Sequence, residues 1–152
     1  MPPLRRRLWP WVNRWVKHTF PAAPVITIQQ LATWLSDGQL SPPILLDVRK
    51  AEEFAVSHLP QARQAPTLEA VMGMGLSQNQ PIVAYCSIGY RSARLVEALQ
   101  AASFTQVYNL EGSIFQWANA GYPIVCEDRP VAGVHPYNAL WGQLLNPDLV
   151  QR

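Results

Sequence analysis

Pro81-Ile82-Val83-Ala84-Tyr85-Cys86-Ser87-Ile88-Gly89-Tyr90-Arg91-Ser92-Ala93-Arg94-Leu95-Val96-Glu97-Ala98-Leu99 is the stretch that decides the fold class. Its first five residues are a short, largely apolar run of the kind that forms strands buried on both faces. From Arg91 to Ala102 the chain reads as a helix. Cys86 therefore stands on a short loop between a strand and a helix N-terminus. The free N–H groups of a helix start converge on such a spot, and the helix dipole adds partial positive charge there. Cysteines in this setting ionise more readily than free thiols. A buried, inert core cysteine is the competing reading.

The neighbouring segments repeat the alternation. Val25-Ile26 reads as a strand entry. Thr27 with Gln30 has the spacing of a capping box and opens a helix whose Leu31, Trp34 and Leu35 face inward, stopped by Gly38. Ile44-Leu45-Leu46-Asp47-Val48 is a second apolar strand, followed by a short helix over Lys50–Val56. Residues 57–66 read as loop and 67–74 as a weak helix. Gln106–Leu110 reads as a strand and Ser113–Ala120 as a helix ended by Gly121. Strands alternating with helices predict an α/β domain with a mainly parallel sheet. Asp47 and Cys86 both fall at carboxyl ends of strands, where such sheets place their chemistry.

Composition narrows the classes further. The chain has 152 residues and two cysteines, with no CxxC and no Cys/His cluster at metal spacing, so neither a metal nor another cofactor is expected. Sparse cysteine suits a reducing, cytoplasmic setting. No apolar run approaches the ~18–20 residues of a membrane span, and no secretory signal is expected. Residues 1–20 carry a charge of +5, and the remainder carries −3. A net acidic domain argues against nucleic-acid binding.

Residues 1–24 read as a basic amphipathic segment and linker, with Pro10 at a first helical position. Leu8, Trp11, Val12, Trp15 and Val16 share one helical face. Three roles stay open for it: peripheral contact with an anionic membrane surface, docking on the domain or its C-terminal extension, and organellar targeting. From Pro123 the alternation ceases. Residues 124–152 form an extension with a short helix near 138–145, expected to dock through Leu140, Trp141 and Leu144.

Four segments, in order, resemble the rhodanese-like family. They are Asp47-Val48-Arg49 with Glu52-Glu53-Phe54; His58-Leu59-Pro60-Gln61-Ala62; Tyr85-Cys86-Ser87-Ile88-Gly89-Tyr90-Arg91-Ser92; and Leu110-Glu111-Gly112-Ser113-Ile114 with Trp117. The resemblance covers residues 25–123 in the single-domain form. It implies a doubly wound sheet of about five mainly parallel strands with helices on both faces. It also implies a sulfurtransferase that carries a sulfane sulfur as a Cys86 persulfide. The donor would be a small sulfur-containing anion such as thiosulfate, or a protein persulfide. The acceptor would be a thiol or a cyanide-like thiophile.

Carried over to this chain, the N–H groups of Ser87, Ile88, Gly89, Tyr90 and Arg91 would cradle the persulfide. Arg91 would help bind an anionic donor, Asp47 would support the loop, and Arg49 would reach the pocket rim. Four residues separate Cys86 from Arg91. Related phosphatases have five, a wider cradle suited to phosphate, so the spacing favours sulfur. Two departures stand out: Ser87 takes the place of a basic residue common in thiosulfate-using members, and Gln61 stands where a glycine is frequent. A non-enzymatic binding or redox-sensor module associated with a membrane surface is the alternative, and Cys126 reads either as a spare structural or surface thiol or as a resolving partner for Cys86.

Overall fold

The computed structural model describes residues 3–151; residues 1, 2 and 152, the outermost positions of the two extensions, lie outside the described residues. Five strands, β1 (Val25–Ile26), β2 (Ile44–Asp47), β3 (Arg63–Gln64), β4 (Ile82–Tyr85) and β5 (Val107–Leu110), form one sheet in the order β1-β5-β4-β2-β3. Every pairing in that sheet is parallel. The chain steps outward from β2 to the edge strand β3, returns to β4 on the other side of β2, and continues to β5. The order of the strands therefore reverses around β4, and the loop that follows β4 sits at the switch point where open parallel sheets hold their ligands.

Residues 57–66, expected to be loop throughout, contain β3. Two residues are too few to show a period, and pairing with β2 creates the strand.

Helices α2 (Ile28–Ser36), α3 (Ala51–Val56), α4 (Leu68–Met72), α5 (Tyr90–Ala101) and α6 (Ser113–Asn119) alternate with the strands. Two cores result, one on each sheet face. Leu45, Val83 and Tyr85 pack with Leu31 of α2 and with Ile114, Phe115 and Trp117 of α6. Leu46, Ile82 and Ala84 pack with Val71 of α4 and with Ala93, Val96 and Leu99 of α5. All four residues of β4 are buried because both of its faces are covered. The Thr27–Gln30 capping box forms as expected, each side chain accepting from the other residue's N–H. Leu31 is buried, Trp34 is half-buried, and Leu35 lies exposed. Gln61 holds φ at 67°, the left-handed conformation that explains the glycine preference there.

Both extensions dock on this body. The basic segment forms α1 (Leu4–Thr19), which begins upstream of the expected start and leaves Pro10 inside the helix. The buried face differs from the one periodicity selects. Trp9 enters the first core and Val16 the second, with Val12 half-buried between them, while Leu8 and Trp11 stay outside. Arg5 Nε donates to Asn146 Oδ1 at 2.9 Å and Asn13 Nδ2 to Gln116 Oε1 at 2.9 Å, tying α1 to the C-terminal extension and to α6.

The C-terminal extension starts as a hairpin of β6 (Ile124–Cys126) and β7 (Arg129–Val131). Glu127 and Asp128 at its turn both have positive φ, as a two-residue hairpin turn requires. The expected helix near 138–145 is a single 3-10 turn, Trp141–Leu144. Leu144 and Leu145 anchor it, whereas Leu140 is exposed.

Candidate functional site

The β4–α5 loop is built so that its cysteine sits under a helix start. Gly89 caps α5 with φ at 109°, a conformation that strains any side chain; a Cβ there would also press on Asn109 Nδ2 at 3.4 Å. This turn directs the Gly89 N–H to Cys86 Sγ at 3.1 Å, and Ser92 Oγ lies 3.5 Å from the same sulfur. Ser92 donates to Asn109 Oδ1 at 2.6 Å, and Asn109 Nδ2 donates to Gly89 O at 3.1 Å. The sulfur's neighbours are thus held by a buried side chain on β5.

From behind, α6 uses N–H groups of its first turn on the loop. Ile114 N donates to Cys86 O and Phe115 N to Ser87 O, both at 3.1 Å. These donors have no partner within their own helix, so the loop satisfies them and is fixed by them. Cys86 N donates to Ser113 Oγ, which in turn donates to Leu110 O.

Arg91 lies in the first turn of α5, where a cation opposes the helix dipole. Its compensating anion is Glu53, thirty-eight positions earlier on α3. Nη1 donates to Glu53 Oε2 at 2.9 Å, and Nη2 donates to Glu53 Oε1 at 3.0 Å and to Ser87 Oγ at 2.9 Å. Lys50 N completes the set on Glu53 Oε2 at 2.9 Å. Burial opposes ionisation of Glu53, but the hydrogen bonds from Arg91 and Lys50 N and the charges of Arg91 and Arg49 outweigh it. They hold the carboxyl below the ordinary carboxylate range. Burial likewise opposes the Arg91 charge, and the Glu53 pairing raises its pKa above the usual value.

A carboxyl held low in the folded state contributes stability that is present above its unfolded pKa of about 4.5 and lost as pH falls through its lower folded value. Stability of the wild type is therefore expected to fall more steeply below about pH 4.5 than that of Glu53→Gln. Urea titrations across that range measure it, and parallel curves would contradict it.

Asp47 and Arg49 come together, and neither lines the cavity over Cys86. Arg49, expected at the rim, is fully buried: Nε donates to Asp47 Oδ1 at 2.9 Å, and Nη2 donates to Asp47 Oδ2 at 2.7 Å and to Ser57 O at 2.6 Å. The pair braces the end of β2 against the loop that leads to β3. Cys126, on β6, contacts Ala55 O through its sulfur, and both cysteines are free thiols.

Above Cys86 lies a cavity of about 160 Å³, lined by Ser87, Ile88, Tyr90 and Arg91 and by three residues of the extensions, Trp15, Tyr137 and Trp141. A larger groove, about 900 Å³, opens beside α2 around Leu35, Pro43, Trp117 and Tyr122 and does not reach the cysteine loop.

Sequence reasoning places Cys86 on the loop after β4 and Arg91 at the start of the helix that follows; the loop itself is Cys86–Gly89, and Tyr90 already belongs to α5. Sequence reasoning does not identify Glu53 as the partner of Arg91, nor Ser92, Asn109 and Ser113 as supports of the loop. A cation at a helix start is the signal that could have found Glu53, but the sequence reading assigns that anion to a bound donor.

The geometry agrees with what comparison shows. The family model described as Rhodanese-like domain matches residues 27–120. The chain is 34% identical over 101 residues to a probable adenylyltransferase/sulfurtransferase, MoeZ, of Mycobacterium tuberculosis, covering 64% of this chain and 25% of that protein. It is 33% identical over 86 residues to a sulfurtransferase of Allochromatium vinosum, covering 56% of this chain and 80% of that one. This chain thus spans about a quarter of the length of the first relative and most of the second. A rhodanese-like domain protein of Staphylococcus aureus superposes with a TM-score of 0.59 at 27% identity, over 69% of this chain and 99% of that structure. A family match across well over half of its residues, on a sheet of the same architecture, makes this chain a member of the rhodanese-like domain family.

Proposed function

We propose that the protein is a sulfurtransferase and that Cys86 is its nucleophile. The observation that carries this reading is the seat of Cys86 Sγ, at the floor of a cavity and the start of α5, with the Gly89 N–H donating to it. The sulfurtransferase names of relatives at 33–34% identity support it.

In the first half-reaction the Cys86 thiolate attacks the outer sulfur of a donor. With thiosulfate the sulfur–sulfur bond of the donor breaks, its electron pair leaves with sulfite, and Cys86 becomes a persulfide anion. With a persulfide R–S–SH the leaving thiolate keeps the electron pair and takes the proton. In the second half-reaction an acceptor thiol attacks the outer sulfur and gives its proton to the new persulfide, and the Cys86 thiolate returns. The N–H groups of Ser87 through Arg91 stabilise the anion through both halves, as preorganised donors do in closed sites. Asp47 and Arg49 support the site by bracing β2. Incubating the protein with thiosulfate and with a persulfide donor, then locating the added sulfur by peptide mass spectrometry, tests this. One sulfur on the Cys86 peptide is expected, and none under any donor would end the reading.

A second reading concerns place. Among the described residues no helix is long and apolar enough to cross a membrane. Docking of α1 nevertheless leaves Leu4, Leu8 and Trp11 exposed on one stripe, with Arg7 and Arg14 exposed beside it and the Arg14 guanidinium 5.3 Å over the Trp11 ring. Apolar residues bordered by cations suit the surface of an anionic bilayer, where each basic residue contributes about 1 kcal/mol. Cosedimentation with phosphatidylserine-containing vesicles is expected to exceed that with neutral ones and to fall in the Leu8→Ser/Trp11→Ser variant. Equal sedimentation of variant and wild type would refute it.

A further inference from the structure

Part of the wall of the Cys86 cavity comes from outside the family domain. Trp15 belongs to α1, and Tyr137 and Trp141 to the C-terminal extension, whereas the family model spans residues 27–120. Trp15 and Trp141 share one stack. The Trp15 ring stacks on Tyr90 at a centroid distance of 5.2 Å and on Trp141 at 6.0 Å, with interplanar angles of 24° and 8°. Phe20 also packs on Tyr90 in a T-shaped arrangement, at a centroid distance of 4.9 Å. Tyr137 lies 4.7 Å from the Arg91 guanidinium. The reacting sulfur thus looks out on a continuous aromatic wall assembled from three distant parts of the chain.

The cation of the site is already engaged. Both Arg91 Nη atoms donate to Glu53, Nη2 also donates to Ser87 Oγ, and the guanidinium face lies under Tyr137. A small dianion entering here would displace those contacts or meet the Glu53 carboxylate, and the residue after the cysteine is Ser87 and not a cation. The remaining attraction is apolar and aromatic. A volume of about 160 Å³ matches the ~150 Å³ apolar cavities that take up a single benzene ring.

We propose that the two extensions make the cavity selective for a sulfur carrier bearing a flat, apolar group, an aryl or similar thiol in its persulfide or thiosulfonate form, over thiosulfate. This rests on the sulfur-transfer reading above and names the class of substrate that site takes. The carrier's ring packs against the Trp15–Trp141 wall while its outer sulfur points down to Cys86. With an arenethiosulfonate, the Cys86 thiolate takes the outer sulfur, the sulfur–sulfur bond breaks, and the electron pair leaves with the arenesulfinate. Charge and atoms balance with no other reactant.

Two donors of equal charge isolate the ring's contribution: p-toluenethiosulfonate and methanethiosulfonate. Rates of Cys86 persulfide formation are measured with each, by quenching and mass spectrometry, on the full chain. Their ratio is compared among wild type, Trp141→Ala, Trp141→Phe and Tyr137→Ala. Intrinsic donor reactivity cancels in that comparison. The aryl-to-methyl ratio is expected to fall roughly three- to tenfold in Trp141→Ala and in Tyr137→Ala, the size of a lost aromatic contact, and to be largely kept in Trp141→Phe. Tyr137 is exposed, so its variant reports on the wall with little change in packing. A ratio equal in all four proteins would overturn the proposal and leave sulfur transfer standing. Absence of persulfide from every donor would instead remove the sulfur-transfer reading itself.

Discussion

Cys86→Ser is expected to abolish sulfur loading completely while leaving the fold in place. Serine offers no sulfur to form the S–S bond in which the transferred atom is held, and its hydroxyl is a poor nucleophile without an adjacent base. The structural cost is small, because a serine Oγ at this position can accept the Gly89 N–H as the thiol sulfur does. Stability should therefore change by about 1 kcal/mol or less. The two readouts separate chemistry from folding: peptide mass spectrometry after donor treatment, and thermal unfolding. Cys126→Ser is the internal control. Its sulfur contacts Ala55 O at the edge of the domain and does not line the cavity, so loading of Cys86 is expected to persist. Loading retained by Cys86→Ser, or lost in Cys126→Ser, would move the nucleophile elsewhere.

Asp47→Ala is expected to destabilise the fold more than any change at the cavity. Asp47 and Arg49 are both fully buried, and their pairing at 2.7 Å is reinforced by a second hydrogen bond through Nε. Removing the carboxylate strands a guanidinium in the interior, which costs about 3–5 kcal/mol in comparable buried pairs. Against a total stability of roughly 5–15 kcal/mol, that is a large share. Urea denaturation should show the midpoint falling with little change in slope. Replacing both partners, as in Asp47→Ala/Arg49→Met, removes the stranded charge and should recover much of the loss. A double variant as unstable as the single one would show that shape, not charge, dominates there.

How legible the site was depends on the distance over which each part is organised. The strand over Ile82–Tyr85, the loop and the helix that follows are written in adjacent residues. So are the Thr27–Gln30 cap and the glycines at 89 and 112, whose positive φ each turn demands. β3 was not legible, since it exists only through its pairing with β2. A cation at a helix start needs an anion, and the sequence reading took that anion to be a donor; nothing local pointed to Glu53. Trp9, buried, and Trp11, exposed, carry the same side chain two positions apart on α1, and periodicity preferred the exposed one. A helical repeat reports which residues share a face; it does not say which face finds a partner.

By itself, then, the sequence determined the α/β alternation, the cysteine loop at a strand's carboxyl end and its four-residue spacing to Arg91. Each follows from short-range preferences for backbone conformation and burial. Only the tertiary structure decided what surrounds that loop: Glu53 on Arg91, Asn109 and Ser113 behind it, and the Trp15–Trp141 wall above it. Those neighbours lie tens of residues away along the chain. Their approach is set by how two cores close on a sheet and by where the extensions find apolar surface left to cover.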